Sequence, residues 1–310
     1  MNSRVYPKYK TKYRVTHWAE YDRALARRGG ITLWISEEAV EGWIPAPSGK
    51  RGGQRKFSDR AIETASTLRL VFKFPLRQTE GFLRSILSLM DLDLEAPDHT
   101  TVSRRSQQLD VDLRHTAEDG PIHLIVDSTG LSIVGEGEWA AVKHGGSGKR
   151  AWKKLHLGVD RSGSIVAQVL TGGNADDSNT ALNLIDEMKG AASFTADAAY
   201  DMTAIYEAAG ARDAKVIVPP RKTATKSRRM GARDRTIFRV KKVGRRQWKK
   251  ESGYHQQVRV ENTFFRYKSI IGPGLRARHP KSQNVEALIA CNILNQMLAL
   301  GRPESLAVGA

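Results

Sequence analysis

Residues 122–127 read Ile-His-Leu-Ile-Val-Asp, an apolar run, His123 apart, that closes on an acid. A short continuous run of this kind predicts a buried strand. Downstream, Leu155, Leu157 and Val159 alternate in KLHLGVD, Asp160–Gly163 supplies a turn, and SIVAQVLT follows, so the two segments predict a β-hairpin. TALNLIDEM after Asp176 and Asp177 predicts a helix, Ser193–Asp197 a short strand, Met202–Ala209 a helix, and Ala214–Val218 a strand stopped by Pro219-Pro220. Helices from about Gln257 to Ile271 and from Gln283 to Leu300 complete the order β-β-β-α-β-α-β, an insert, then α-α. Three strands joined through hairpins and continued by alternating helix and strand is the topology of a ribonuclease-H-like α/β sheet.

Position sorts the acids. Asp127 follows a buried run, where a solvated carboxylate has no structural purpose, and Asp197 ends the fourth strand. First and fourth strands are neighbours in such a sheet, so these two carboxylates meet. Paired carboxylates repel unless a cation neutralises them, and hard oxygen ligands select Mg²⁺ or Mn²⁺. Two such ions clamp the attacking and leaving oxygens of an in-line phosphoryl displacement. The third carboxylate is Glu261, the only acid in RVENTFFRYKS, with Lys268 two turns further along the same face. The remaining acids read as structural: Asp160 in a turn, Asp176, Asp177 and Asp201 as helix caps, Asp186, Glu187 and Glu286 as surface charges, and Glu251 paired with a lysine.

The chain has 310 residues, a net charge of +17 and 40% hydrophobic residues. Length points to two domains of about 150 residues, and the apolar content excludes wholesale disorder. One cysteine excludes a disulfide scaffold, and Cys291, inside an amphipathic stretch, reads as an inert buried thiol. The eight histidines show no zinc-site spacing. The most apolar segment, Ala287–Leu300, is interrupted by Asn292, Asn295 and Gln296 and is shorter than the roughly 20 residues of a membrane span, so a cytoplasmic, nucleoid-associated location is expected. Charge of this size and sign calls for a polyanion, nucleic acid first. Arg221–Lys250 holds fourteen Lys/Arg against one acid, Asp234, so +13 of the +17 lies in one insert. Ile237, Phe238, Val240, Val243 and Trp248 interleave with these cations, which predicts a DNA-contacting surface that includes Arg228, Arg229, Arg245 and Arg246. A second basic run, Arg4 to Arg14 with Tyr6, Tyr9 and Tyr13 between its cations, is suited to a phosphate backbone.

Residues 35–118 carry helical spacing. Ser58-Asp59 caps AIETASTLRLVFK, in which Ile62, Ala65, Leu68 and Phe72 recur at helical intervals, and Pro75 stops it. A helix through Phe82, Leu83, Ile86 and Leu87 follows. After an acidic loop, Thr100 or Thr101 caps a last helix with Arg104 and Arg105 in its first turn. Helix, turn and short helix is the layout of a helix-turn-helix reader, with Thr101, Arg104 and Arg105 toward DNA.

These blocks together resemble the DDE transposases of bacterial insertion sequences, in the group whose third acid lies in a Tyr-x2-Arg-x3-Glu-x6-Lys signature. The signature falls on Tyr254, Glu261 and Lys268, with Gln257 at the Arg position and Arg259 two residues before the Glu. VDSTG around Asp127, KHGGSGKRAWKKLHLGVD and TADAAYD around Asp197 also match, as do FSDRAIETASTLRLVFKFPLRQTEGFL and PDHTTVSRR. The resemblance implies an enzyme that binds terminal inverted repeats, cuts with Mg²⁺ (Mn²⁺ substituting, two ions per site) and joins the freed 3′-hydroxyl to target DNA. Asp127, Asp197 and Glu261 would hold the metals. Tyr254, Lys268 and, in place of the missing cation, Arg259 would contact phosphate; Lys143, His144, Lys154 and His156 would face the element end. Synapsis of two ends implies a homodimer on double-stranded DNA. The implied domains are a basic arm and first helical segment (1–34), a helical DNA-binding domain (35–118) and a catalytic domain (119–304) with basic insert 221–250. A ribonuclease-H-like nuclease without strand transfer, and a catalytically impaired DNA-binding relative, remain as alternatives.

Overall fold

The computed structural model describes residues 13–47, 49, 51–116, 120–133, 152–187, 190–228 and 230–307. Strand β1 (Tyr13–Val15) leads into helices α1 (Trp18–Arg27), α2 (Glu37–Glu41), α3 (Asp59–Val71), α4 (Leu76–Leu89) and α5 (His99–Arg105). Then come β2 (Ile122–Ile133), β3 (Trp152–Val159), β4 (Ile165–Gly172), α6 (Asp177–Glu187), β5 (Ala191–Thr195), α7 (Thr203–Gly210) and β6 (Lys215–Ile217). Helices α8 (Ala232–Val243), α9 (Arg245–Ser252) and α10 (Val258–Ile270), strand β7 (Gly274–Leu275), helix α11 (Pro280–Ala299) and strand β8 (Ser305–Ala307) complete the described chain.

The central sheet has strand order β4-β3-β2-β5-β6, with β7 paired to β2 beyond that path. β2-β3-β4 are antiparallel and β2-β5-β6 parallel. The expected order therefore stands, and β2 runs twelve residues, so that Asp127 lies within the strand rather than at its end. Both sheet faces are covered. Leu124, Val126, Ala167 and Phe194 pack under α6 and α7 through Leu184, Ile205 and Ala209. Ile125, Leu155, Leu157 and Val159 pack toward α10 and α11 through Val260, Ile289 and Ile293. The strand alternation thus feeds two apolar layers, the arrangement of a sheet buried on both sides.

Ser58 caps α3 by accepting from the Ala61 N–H, and Ile62, Ala65 and Leu68 line the buried face, as their spacing predicts. Residues 35–118 do not have a core of their own. Trp43, Ile62, Leu68, Leu83, Leu87 and Val102 belong to the same cluster as the sheet residues Ile125, Leu131 and Leu155. The physical reason is α11, which carries buried side chains around much of its circumference, from Val285 to Met297, and so packs against α3 and the sheet together. Its polar positions are used internally: Asn295 accepts from the Ile165 N–H and donates to the Arg114 and Ile165 carbonyls. Cys291 is fully buried, and that burial pushes its thiol well above the usual range. No helix among the described residues is long and apolar enough to cross a membrane.

The basic insert is an ordered helical hairpin anchored to the catalytic sheet. Asp234 gathers the Ser227 N–H and hydroxyl and the Gly231 N–H at the start of α8. Asp201 is not a cap. Its side chain is fully buried, gripped by Arg233 through Nε (2.7 Å) and Nη2 (2.9 Å) and by the Arg221 backbone N–H (2.9 Å). Glu251 pairs with Arg239 rather than a lysine. Glu286, read as a surface charge, is buried and accepts from the Arg276 and Ala277 N–H groups at 2.7 Å. The first and last described strands meet, since β1 pairs antiparallel with β8. Residues 1–12, most of the first basic run, lie outside the described residues; Arg14 sits in β1.

Candidate active site

Asp127 sits mid-strand in β2. In the parallel pairing of β2 and β5, Ile125 aligns with Thr195. Asp127 and Asp197 each stand two residues beyond this last pair, so both lie toward the same end of the strand pair. Asp197 lies two residues past the end of β5 and caps a short 3-10 turn, its carboxylate accepting from the Ala199 N–H at 2.8 Å. Asp127 accepts from the Ser128 N–H at 2.8 Å. Glu261 comes from the first turn of α10, whose Val260, Thr263, Phe264 and Tyr267 face inward while Glu261, Phe265 and Lys268 stay exposed. The turn Tyr254–Gln257 before α10 locks this helix to the sheet, because buried Gln257 donates from Nε2 to the Val126 carbonyl at 3.2 Å. Gln257 is therefore a tie to the strand that bears Asp127. Arg259 is exposed to solvent.

The electrostatics place the three acids in one field. Burial first, then the charges of Asp197, Glu261 and Asp177, push the Asp127 carboxyl up to about 6, against the opposing Ser128 N–H. Tyr254 is pushed up to about 12 by burial and then by Asp197, Glu261 and Asp127. Its ring lies 4.6 Å from the Lys249 ammonium and 6.2 Å from Trp248. Tyr200, buried behind the site, is raised by burial and next by Asp127 and Asp177. Among the described residues no three His, Cys, Asp or Glu side chains are gathered tightly enough to hold an ion. In chemistry, though not in spacing, the donor set is of the kind a hard divalent cation takes: carboxylates on separate elements, with Asp127 near enough to feel Asp197 and Glu261, and with Glu261 exposed on a helix.

The neighbouring polar cluster corrects the sequence reading. Asp177 does not cap α6; Asp176 does, accepting from the Asn179 N–H. The Asp177 carboxylate instead reaches the sheet, accepting from Lys154 Nζ (3.0 Å) and the Ser128 hydroxyl (3.1 Å), with His156 Nδ1 at 3.7 Å. Lys154 also donates to the Ala175 carbonyl, so its ammonium is spent inside the protein. His156 has no exposed surface, meets the Thr171 hydroxyl at 2.9 Å, and is kept below the usual histidine range chiefly by burial. Strand alternation turns Lys154 and His156 toward α6, which removes both from the expected DNA-contact set. Sequence offers no signal for Asp177, since either of two adjacent acids before a helix satisfies the cap rule.

The other expected contacts divide the same way. Helix α5 is capped by Asp98, which accepts from the Thr100 and Thr101 N–H groups and from the Thr101 hydroxyl, so Thr101 is a cap partner. Arg104 and Arg105 stand in the last turn, not the first. Arg105 is buried, donating to the Phe57 carbonyl and the Asp59 carboxylate, while Arg104 is exposed. In the insert, Arg245 donates to the Pro220 carbonyl at 2.5 Å, and Arg228 and Arg246 are exposed. Lys143, His144 and Arg229 lie outside the described residues.

A five-strand path of this order, antiparallel on one side of β2, parallel on the other and covered by helices on both faces, is the arrangement of a ribonuclease-H-like fold. A family model described as Transposase DDE domain matches residues 118–298, and a second of the same description matches residues 26–136. The first covers more than half of the chain, and the protein belongs to the DDE transposases, enzymes that cleave DNA and transfer its strands. Enzymes of this family use divalent metal ions, generally Mg²⁺.

Proposed function

We propose that the protein binds the terminal inverted repeats of its own insertion sequence and excises and joins that element as a homodimer on double-stranded DNA. Asp127, Asp197 and Glu261 would hold two Mg²⁺ ions, which would supply charge stabilisation for an in-line displacement at phosphorus. The protein's own residues do the rest. The Ser128 and Ala199 N–H groups fix the two aspartates, and Gln257 ties α10 to β2 so that Glu261 enters from the helix side. Lys268, exposed two turns beyond Glu261, grips a neighbouring phosphate, and Arg259 and Tyr254 line the same approach. Arg104, Arg228 and Arg246 are exposed on the helical segment and the insert, suited to phosphates further along the duplex.

One observation supports the assignment of the acids: β2 and β5 pair in parallel with Ile125 opposite Thr195, two residues before Asp127 and Asp197, and Gln257, just ahead of the helix that bears Glu261, donates to the Val126 carbonyl beside Asp127. Asp127→Asn, Asp197→Asn and Glu261→Gln are each expected to abolish Mg²⁺-dependent cleavage of DNA carrying the gene's flanking repeats while leaving binding intact. Full cleavage by any one variant removes that residue from the triad. Joining of pre-cut ends to a target plasmid separates a transposase from a nuclease that only hydrolyses.

A further inference from the structure

Three large apolar side chains stand in water at one end of the helical segment: Leu89 is 86% exposed, Ile44 66% and Met90 41%. Residues 91–95 run from the end of α4 to Ile44, because the Glu95 carbonyl accepts from Nε1 of the adjoining Trp43 at 2.8 Å. Along this stretch Leu92 and Leu94 pack onto the core, while Asp91, Asp93 and Glu95 alternate with them toward solvent. Glu41, the last residue of α2, is exposed beside Ile44 in sequence. Residues 36–47 hold three acids and residues 89–98 four, and neither stretch contains a Lys or Arg. In a chain of net charge +17, this is an apolar strip framed in negative charge.

Such a strip repels phosphate, so it does not face the DNA that the basic surfaces attract. Clustered exposed apolar side chains with a polar rim mark a protein contact instead. The complementary surface lies on the same chain. Helix α8 turns Arg235, Phe238, Arg239 and Lys242 outward, three and four residues apart on one face. Phe238 is 54% exposed, and the Lys226 ammonium stands 4.5 Å from its ring centre. Arg239 is engaged with Glu251, which leaves Lys226, Arg235 and Lys242 as the frame of the ring. One surface is aliphatic in a negative frame, the other aromatic in a positive one. Both stay exposed within a single chain, so they do not cover each other there, and a second copy supplies the match.

We propose that the strip Ile44, Leu89 and Met90, with Asp91 and Asp93, docks on the Phe238 face of α8 in a second copy of this chain. In a two-fold pair each copy offers its strip to the other's α8, so the same contact is made twice and the assembly closes. The apolar centres supply the affinity, and the opposed charges set the register and exclude other pairings. The contact joins the helical segment of one copy to the basic insert of the other. It rests on the proposed function in that the homodimer named there is the assembly it builds.

The test is a charge swap read by sedimentation velocity on the full-length protein without DNA. The wild type should form a dimer that added salt weakens. One variant carries Asp91→Lys and Asp93→Lys, and the other carries Arg235→Glu and Lys242→Glu. Each alone should self-associate about tenfold to 100-fold more weakly, because like charges then face each other in both contacts. An equimolar mixture of the two should pair as well as the wild type, since both contacts of the mixed dimer again join opposite charges. Phe238→Ser and Leu89→Ser should each weaken the dimer about tenfold without responding to the swap. All the substituted side chains are exposed, and circular dichroism and melting confirm the fold of each variant. A wild type that stays monomeric at the highest soluble concentration, variants that self-associate like the wild type, or a mixture that fails to pair overturns the interface. A wild-type dimer that does not cleave its flanking repeats with Mg²⁺ refutes the proposed activity instead and leaves the interface standing.

Discussion

Asp201→Ala separates the basic hairpin from the sheet that carries the acids. The Asp201 side chain has no exposed surface, and its partner Arg233 is 18% exposed. Three contacts are lost: two from the Arg233 guanidinium at 2.7 and 2.9 Å and one from the Arg221 N–H at 2.9 Å. Hydrogen bonds to a charged group contribute about 1.5–3 kcal/mol each, but these share one carboxylate and do not add. Removing one partner of a buried pair costs about 3–5 kcal/mol, and water reaching the partly exposed Arg233 favours the lower end, about 3 kcal/mol. Urea unfolding followed by far-ultraviolet circular dichroism measures this loss. Hydrogen exchange across residues 221–252 should show the hairpin opening first. Arg221 also donates to the Ala198 and Ala199 carbonyls, in the turn that Asp197 caps, so cleavage should fall along with stability. Arg233→Lys, which keeps the charge but loses the two-pronged geometry, should cost about 1 kcal/mol. A loss below about 1 kcal/mol for Asp201→Ala, with unchanged exchange, would refute the anchoring argument.

In the metal-free protein the Asp127 contribution to stability should grow as the pH falls from 7 toward 4, while His156, buried and kept neutral, works in the opposite direction below about 6.5. The Asp127 carboxyl binds its proton near 6 when folded but near 3.8 when unfolded, so its contribution is fully present below about 4 and lost as the pH rises through about 6. That contribution is at most about 3 kcal/mol, and Asp127→Asn should flatten this part of the melting profile and remove the Mg²⁺-induced rise in Tm at pH 7. Asp177→Ala should strand Lys154 and release Ser128, costing about 1–3 kcal/mol and slowing cleavage without changing end affinity; faster or unchanged cleavage would remove Asp177 from the site's support. Neutralising Arg228 and Arg246 together should lower the slope of log affinity against log salt by about 2, whereas Arg245→Ala should register mainly as lost stability. An unchanged slope would make the exposed insert cations bystanders.

Much of the architecture is legible in the chain because it rests on local rules. The apolar run before Asp127, the alternation of Leu155, Leu157 and Val159, and the Ser58 cap each specify an element through its nearest neighbours in sequence. Strand order then puts Asp127 and Asp197 toward the same end of neighbouring strands, and the spacing of Glu261 and Lys268 marks one helix face. Which way a given polar side chain turns is not local. Lys154 and His156 read as DNA contacts because their segment is basic, yet the pleat of β3 points them at Asp177. Asp201 and Glu286 read as a cap and a surface charge, yet both are buried against partners distant in sequence or on another element. Arg105 is likewise spent on Phe57 and Asp59.

The sequence by itself determined the sheet, its strand order, the candidate acids and the location of the excess charge, because periodicity, turn chemistry and composition are properties of short segments. Only the tertiary structure decided which cations stay exposed and which are spent on internal partners, and that the helical segment shares its core with the sheet. Those outcomes depend on which buried charge finds a partner and which surfaces exclude water, and both are settled only when distant segments pack together.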